Sequence, residues 1–214
     1  MASSEAIIRG SPVLDPDTLL MLQVRDDSAE AFEQLVVRYQ TRLLTVLEHL
    51  CGNRTQAEDL AQEVFLRVYR ARKRYVPGAK FSTWLFKIAN NVASNARRSR
   101  RRRREVNLVG RESGPLGARP LDKLAQAASG LMPTRRLDKA EIVEAVQLAM
   151  QSLNDRQRMV VLLSKFEEMS YTDIADTMGM TTPAIKSLLF RARGQLRTIL
   201  EPYLNEGQLP PGEE

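Results

Sequence analysis

The chain has 214 residues, of which 43% are hydrophobic and 27% are charged, and its formal net charge is +6. A single cysteine, Cys51, excludes an intramolecular disulfide framework and a cysteine-rich zinc site, and a single histidine, His49, leaves little for histidine-based catalysis. The sequence shows no signal peptide and no apolar run of the roughly 18 residues that a membrane helix needs. We therefore expect a cytoplasmic protein without membrane insertion.

The basic charge is concentrated in one segment. Residues 28–104 carry 17 basic and six acidic residues, a net charge of +11, whereas residues 138–204 have a net charge of −1. Within residues 97–104, seven of eight residues are Arg. Such a run favours contact with phosphates, because neutralising them releases counterions; a solvated, disordered or RNA-binding basic arm is the alternative.

Apolar residues recur at helical spacing through the first half of the chain, and no stretch shows sustained strand alternation. A short helix is expected around Asp17–Val24. Three longer helices are expected in residues 28–104, with a break at Gly52, an N-cap at Thr55 and another N-cap at Ser82.

The second half begins with residues 105–137, whose glycines and prolines indicate a flexible linker. The next helix is expected to bury a stripe of Ile142, Val146 and Ala149. Ser170 begins a sequence that resembles a capping box, and Gly179 suits a tight turn that needs a positive φ. Thr182 is the expected cap of the last helix.

A short helix, a glycine turn and a longer basic helix are typical of the helix-turn-helix, although a helical hairpin in a bundle would have the same pattern. The first turns of such a reading helix face base edges, whereas its later arginines reach phosphates. The candidate base-contacting residues are Thr182, Lys186, Ser187 and Phe190, and the candidate phosphate-contacting residues are Arg191 and Arg193. Core packing is the alternative for Phe190.

Two other groups of residues suggest binding rather than catalysis. Trp84 lies at the start of the basic helix and could stack on unpaired bases, with core packing as the alternative. Asp59, Gln62 and Glu63 form an acidic and amide edge on one helix, which suits a basic protein partner. The alternative is an exposed helix face with acidic residues near the helix N-terminus, which has the same sequence pattern. No glycine-rich phosphate loop or HExxH motif is present. We expect no catalytic residue, no metal site and no cofactor.

Together these motifs resemble the sigma-70 family of RNA polymerase factors. The segments similar to region two are Asp59–Phe65, Phe81–Asn91 and the arginine run, and those similar to region four are Leu153–Leu163, Ser170–Gly179 and Ile185–Arg193. The short length, without regions one and three, indicates the extracytoplasmic-function (ECF) subfamily.

The resemblance implies an all-α fold of two small helical domains, a region 2 bundle and a region 4 helix-turn-helix, joined by a flexible linker. The implied divisions are an N-terminal extension at 1–27, region two at 28–104, the linker at 105–137, region four at 138–204 and a disordered tail at 205–214.

The resemblance also implies partners and roles: the factor binds core RNA polymerase and directs initiation at promoters of a stress- or signal-responsive regulon. The residues implied to dock on the clamp coiled coil of one large subunit are Asp59, Gln62, Glu63 and Phe65. Those implied to capture the minus-ten DNA are Trp84, Asn91, Asn95, Arg97, Arg98 and Arg101. Those implied to read the minus-thirty-five DNA are Thr182, Lys186, Ser187, Phe190, Arg191 and Arg193. Region four would also pack on the flap of the other large subunit, and an anti-sigma factor is a common further partner.

The sequence departs from the family pattern at four positions. Asn154 replaces the usual Pro at the opening of region four, Ala184 and Leu188 replace a common Thr and Arg, and Asn95 replaces a frequent Asp. These changes leave the promoter sequence open. A stand-alone helix-turn-helix regulator, or an RNA-binding protein with an arginine-rich arm, is the alternative function.

Overall fold

A computed structural model describes residues 15–109 and 139–205, and every regular element in these two stretches is helical, as expected. The helices are α1 (Pro16–Arg25), α2 (Ala29–Cys51), α3 (Arg54–Ala71), α4 (Phe81–Val109), α5 (Lys139–Ser152), α6 (Asp155–Lys165), α7 (Tyr171–Met178) and α8 (Thr182–Asn205). A 3-10 turn at Arg72–Arg74 follows α3. Helices α1–α4 are called the first unit below, and α5–α8 the second unit.

Several expected segments lie outside the described residues. These are most of the N-terminal extension (1–14), the linker from residue 110 onward and the tail from residue 206. Helix α4 continues through Val109, so it takes in the first five residues of the expected linker, 105–109. None of the helices in the described stretches is long and apolar enough to cross a membrane.

The helix expected around Asp17–Val24 is present as α1. The side chain of Asp15 caps it by accepting hydrogen bonds from the backbone N–H groups of Asp17 and Thr18, at 3.1 and 3.0 Å. Asp17 in turn accepts from the Tyr39 hydroxyl at 2.6 Å and from Arg38 Nη1 at 2.5 Å. These two bonds fasten α1 to α2, and burial raises the pKa of Tyr39 far above its usual value.

The predicted break between the first two long helices is confirmed, but both predicted caps are wrong. Gly52 ends α2 in the left-handed conformation, with φ of 69°. Asn53, not Thr55, caps α3: it has an extended backbone, and its Oδ1 accepts from Gln56 N–H at 2.9 Å. Helix α4 already begins at Phe81, so Ser82 lies inside its first turn.

In α5 the buried face differs from the predicted stripe. Ala149 of that stripe is buried as predicted, but Val146 is 40% exposed, and Ala145 and Met150 are buried in addition. The side chain of Ile142 lies outside the described residues. The helix is therefore rotated from the predicted stripe, so that Ala145 and Met150, rather than Val146, join Ala149 in facing the rest of the second unit.

Asn154 preserves the start of α6 where the family usually has Pro. Its side chain accepts from Gln157 N–H at 3.0 Å, and the Gln157 side chain accepts from Asn154 N–H at 3.1 Å, which completes a capping box. Arg158 donates to the carbonyl oxygens of Met150, Gln151 and Leu153 at 2.8 to 2.9 Å. The departure from Pro therefore leaves the α5–α6 corner with a side-chain cap and three hydrogen bonds from Arg158.

The helix-turn-helix has the expected turn. Ser170 caps α7 by accepting from Asp173 N–H at 3.1 Å, and Gly179 ends the helix with φ of 62°. The backbone N–H of Ile185 donates to Thr181 O at 3.1 Å. The cap of α8 is therefore Thr181, one residue before the predicted Thr182.

One hydrophobic cluster runs through both units. Helix α7 packs against α4, and α6 packs against α2, so the two units touch directly. Arg42 Nη2 lies 2.5 Å from Glu167 Oε2, and the side chain of Glu167 is only 1% exposed. Burial raises the pKa of this carboxyl, although the Arg42 guanidinium acts in the opposite direction.

Candidate functional site

The acidic and amide edge of α3 is an open surface. Asp59 and Gln62 are exposed, and Glu63 accepts a hydrogen bond from Arg67 Nε at 2.6 Å across one helical turn. Because Arg67 already pairs with Glu63, the two side chains that remain open to a partner are Asp59 and Gln62.

An apolar groove of about 630 Å³ lies beside this edge. It is lined by Ala29, Phe32 and Val36 of α2 and by Gln62, Phe65, Leu66 and Tyr69 of α3. Leu66 is 49% exposed and Tyr69 is 41% exposed. The Phe32 ring meets the rings of Phe65 and Tyr69 at centroid distances of 6.5 and 5.1 Å, which fixes the floor of the groove.

The family resemblance predicts Phe65 as a docking residue. It does not predict that Phe32, Leu66 and Tyr69 belong to the same surface. A signal was available for Leu66, because it lies off the stripe of α3 that buries Val64 and Val68. An apolar residue off the buried stripe of a helix either belongs to a partner-binding surface or is a single exposed residue. The position of α2, which contributes apolar residues beside Leu66, favours the first alternative.

Trp84 of α4 packs against the core on one side and lines a cavity on the other. Trp84 is half-buried, and its ring packs against Tyr75 and Phe81 at centroid distances of 4.9 and 6.1 Å. It also lines a cavity of about 300 Å³ together with Lys87. Asn91 and Asn95, one and two turns further along α4 from Lys87, are exposed.

The arginine run continues α4 as helix rather than forming a disordered arm. Arg97 is half-buried, and its Nε lies 3.0 Å from Asp155 Oδ2 of the second unit. Arg98 is exposed, and Arg100 donates to the Gln56 side chain of α3. Arg101 belongs to α4, but its side chain lies outside the described residues.

On α8 the candidate DNA-reading side chains face outward. Lys186, Ser187 and Phe190 are exposed, and Thr182 is half-buried. Phe190 is 80% exposed while its neighbour Leu189 is 3% exposed, so the core-packing interpretation of Phe190 is wrong.

The structure also gives the positions of Arg191, Arg193 and Leu188 on α8. Arg191 donates to Ser187 Oγ at 3.0 Å, which holds its guanidinium beside the exposed face, and Arg193 is exposed. Leu188 is only 9% exposed and belongs to the hydrophobic cluster. At this position the second unit therefore has a core residue where the family often has a polar one.

Cys51 and His49 line a cleft with Arg158 but show no catalytic arrangement. Burial raises the pKa of the Cys51 thiol, which disfavours the nucleophilic thiolate. Burial also lowers the pKa of His49, whose ring lies 5.7 Å from that of Phe166. Across residues 15–109 and 139–205, no cluster of three or more His, Cys, Asp or Glu could hold a metal ion.

Comparison with known families matches both units. The family model described as sigma-70 region 2 matches residues 35–103, and the model described as sigma-70, region 4 matches residues 143–196. Together the two matches take in more than half of the chain.

Curated relatives and solved structures agree with these matches. The RNA polymerase sigma-H factor of Pseudomonas aeruginosa is 31% identical over 194 residues, which cover 90% of this chain and 97% of that protein. The ECF RNA polymerase sigma factor SigW of Bacillus subtilis is 28% identical over 82% of this chain and 91% of that protein.

Two solved structures share the fold. CnrH, solved with the cytosolic domain of CnrY, has a TM-score of 0.61 at 23% identity and covers 88% of this chain and 99% of that one. The sigma factor RpoE of Bartonella quintana, solved with the anti-sigma factor NepR, has a TM-score of 0.58 at 24% identity and covers 81% of this chain and 98% of that one. The chain therefore belongs to the ECF subfamily of the sigma-70 family of RNA polymerase sigma factors.

Proposed function

We propose that this sigma factor docks on core RNA polymerase through α3, captures the minus-ten element with α4 and reads the minus-thirty-five element with α8. It acts in the cytoplasm, does no covalent chemistry and serves a stress- or signal-responsive regulon. Its working divisions are region two at 28–104 and region four at 138–204, joined by the linker at 105–137, with an extension at 1–27 and a tail at 205–214.

The observation that carries the proposal is the apolar groove beside Asp59 and Gln62. Exposed apolar patches on a soluble domain commonly mark an interaction site, and this one is bordered by a carboxylate and an amide. A helical partner with apolar and basic side chains, such as the clamp coiled coil, would cover the groove and pair with its edge. Phe65 then contributes from within the groove, and Glu63 through its pair with Arg67.

The composition of α4 supports a single-stranded DNA role. Aromatic side chains stack on unpaired bases and cations track the backbone, and α4 carries Trp84 with Arg97, Arg98 and Arg101 further along. Exposed Asn91 and Asn95 offer both donors and acceptors to base edges. This set suits a melted minus-ten strand better than a closed duplex.

The exposed face of α8 supports duplex reading. Lys186 can donate to guanine, Ser187 can pair with either kind of base edge, and Phe190 can contact a thymine methyl group. Thr182, at the first turn, can also pair with either kind of base edge, whereas Arg191 and Arg193 would fix the register on phosphates. The flap of the other large subunit is the second polymerase contact that we assign to region four.

An anti-sigma factor is a further partner in this proposal. The support is the fold shared with RpoE of Bartonella quintana, which was solved with the anti-sigma factor NepR.

The docking assignment is tested by Asp59→Arg combined with Gln62→Arg. Like-charge contacts at an interface cost several kcal/mol, so we expect the affinity of the full chain for core polymerase to fall by more than about tenfold. The matched control is Glu144→Arg with Gln147→Arg, an exposed acid and amide at the same spacing on α5. Binding is measured to core polymerase and to the isolated clamp coiled coil, with thermal melts of each variant.

Retained affinity in the Asp59 and Gln62 double variant would overturn the docking assignment. A wild-type protein that neither binds core polymerase nor initiates at any promoter of a genomic library would overturn the proposed function. A stand-alone regulator would instead bind duplex operators without polymerase.

A further inference from the structure

The first turn of α1 contacts the polar ends of two tyrosines. Asp17 accepts a hydrogen bond from the Tyr39 hydroxyl at 2.6 Å. The Tyr75 hydroxyl is buried without a hydrogen bond of standard geometry among the described residues. Burial raises the pKa of Tyr75, and the neighbouring Thr18 side chain acts in the opposite direction. One helical turn, in a part of the chain to which no role is assigned above, therefore lies against both hydroxyl groups.

The rings of the same two tyrosines form one aromatic cluster with the start of α4. The Tyr39 and Phe81 rings lie 5.2 Å apart between centroids, and the Phe81 and Trp84 rings lie 6.1 Å apart. The Tyr75 ring lies 4.9 Å from the Trp84 ring in an edge-on arrangement. Tyr39, Tyr75 and Phe81 are each at most 4% exposed, whereas Trp84 is half-buried. Because close-packed rings have little room to turn, the three buried rings set the orientation of Trp84.

The other end of α1 holds the 3-10 turn that leads into Tyr75. Asp27, two residues after α1, accepts from Arg72 Nε at 3.1 Å and from Lys73 Nζ at 2.5 Å. The backbone N–H of Tyr75 in turn donates to Arg72 O at 3.1 Å. Exposed ion pairs of this kind are individually weak, but both act on the same short turn. Tyr75 is therefore held from two sides by α1 and the residues that follow it.

The position of α1 separates it from the proposed polymerase-docking surface. Met21 and Val24 anchor the helix in the hydrophobic cluster, and α1 packs against α2, α4 and the 3-10 turn. None of the residues that line the apolar groove beside Asp59 and Gln62 belongs to α1. A change in the first turn of α1 should therefore reach Trp84 more directly than it reaches the groove.

We propose that α1 is a positioning element for minus-ten capture, because its first turn, through Tyr39 and Tyr75, holds the Trp84 ring in the orientation that stacks on an unpaired base. A ring that is fixed before the DNA arrives loses less conformational freedom on binding, so the strand binds more tightly. Asp17 and Thr18 are then positioning residues that act through Trp84 rather than on the DNA. This inference rests on the proposed single-strand role of α4.

The test removes both polar contacts by Asp17→Ala with Thr18→Ala in the full chain. The matched variant is Asp17→Asn with Thr18→Ser, which loses the same charge but keeps an acceptor for Tyr39 and a hydroxyl beside Tyr75. Val46→Ala, at a fully buried position of α2 about two turns beyond Tyr39, controls for a general loss of stability. Thermal melts show which variants are folded at the assay temperature. If the double alanine variant is not, Thr18→Ala against Thr18→Ser takes its place.

Trp84 itself reports the result, because it is the only tryptophan of the chain. Its emission maximum and its quenching by acrylamide measure how its ring is held without any DNA. Affinities are then measured for a minus-ten single strand and a minus-thirty-five duplex, both taken from a promoter on which the protein initiates, and for core polymerase.

Loss of one base stacked on an aromatic ring weakens binding by about five- to 150-fold. The double alanine variant should therefore bind the single strand at least about fivefold more weakly than the matched variant. Its Trp84 should be quenched more easily and emit at longer wavelength, while the duplex and core polymerase affinities stay unchanged.

The proposal is overturned if the quenching or the single-strand affinity of the double alanine variant equals that of the matched variant. It is also overturned if Val46→Ala changes both quantities as much, because the effect would then be a general loosening of the first unit. If the wild-type protein does not bind the single strand at all, the proposed minus-ten role fails. The quenching comparison then decides by itself whether α1 positions Trp84.

Discussion

The exposed ring of Phe190 gives a prediction that separates DNA contact from folding. A fully buried Phe covers about 150–250 Å². Because Phe190 is 80% exposed, only about 30–50 Å² of its ring is covered in the free protein. At about 25 cal/mol per Å², Phe190→Ala should lower the free energy of unfolding by only about 1 kcal/mol.

The same ring should contribute more to the free energy of DNA binding than to the free energy of unfolding. If the ring buries about 100 Å² on a thymine methyl and its neighbours, its loss costs about 2.5 kcal/mol of binding, or roughly 70-fold in the dissociation constant. The assay is fluorescence anisotropy with a minus-thirty-five duplex from a promoter selected by transcription, alongside thermal melts.

The adjacent Leu189 is the matched control. It is 3% exposed, so Leu189→Ala should cost about 2–5 kcal/mol of stability. The reasoning is refuted if Phe190→Ala destabilises as much as Leu189→Ala, or if it remains stable and binds the duplex as tightly as wild type.

Two further predictions concern the first unit. Tyr39→Phe removes the 2.6 Å hydrogen bond to Asp17, and a hydrogen bond to a charged group is worth about 1.5–3 kcal/mol. The variant should therefore have a Tm several degrees lower in a thermal melt. An unchanged Tm would show that this bond does not hold α1 on α2. Burial raises the pKa of Cys51, so its alkylation at pH 8 should be slower than that of free cysteine and should recover in urea. An alkylation rate in the folded protein equal to that of free cysteine would contradict this.

The helices and their turns follow from local chemistry, which is why the sequence predicts them well. Gly52 and Gly179 both adopt the left-handed conformation at the expected helix ends, and Ser170 caps α7. The errors are small shifts at N-termini, where Asn53 outcompetes Thr55 because its amide oxygen already reaches a free N–H. Several polar residues in a row can serve as a cap, and periodicity does not choose among them.

The surfaces depend on tertiary packing and follow less directly from the sequence. Arg42 and Glu167 are 125 residues apart in the chain, and neither residue belongs to a motif. The groove forms because Leu66 and Tyr69 of α3 stay uncovered beside Phe32 of α2. This depends on how two helices pack, which the apolar periodicity of either helix alone does not predict. Phe190 and Leu189 are adjacent apolar residues, and only the orientation of α8 distinguishes the buried one from the exposed one.

Helix α4 runs without interruption from the core into the arginine run. This continuous helix limits how many of the arginines can contact one DNA strand, and therefore how many counterions are released from the DNA on binding. A helix turns by about 100° per residue, so one strand that passes along one face of a helix can meet only about half of the positions in such a run. Seven arginine contacts to a single strand would give a salt slope near −5, whereas a one-sided set of about three would give a slope near −2. A salt titration of minus-ten binding would therefore count the arginines that touch DNA.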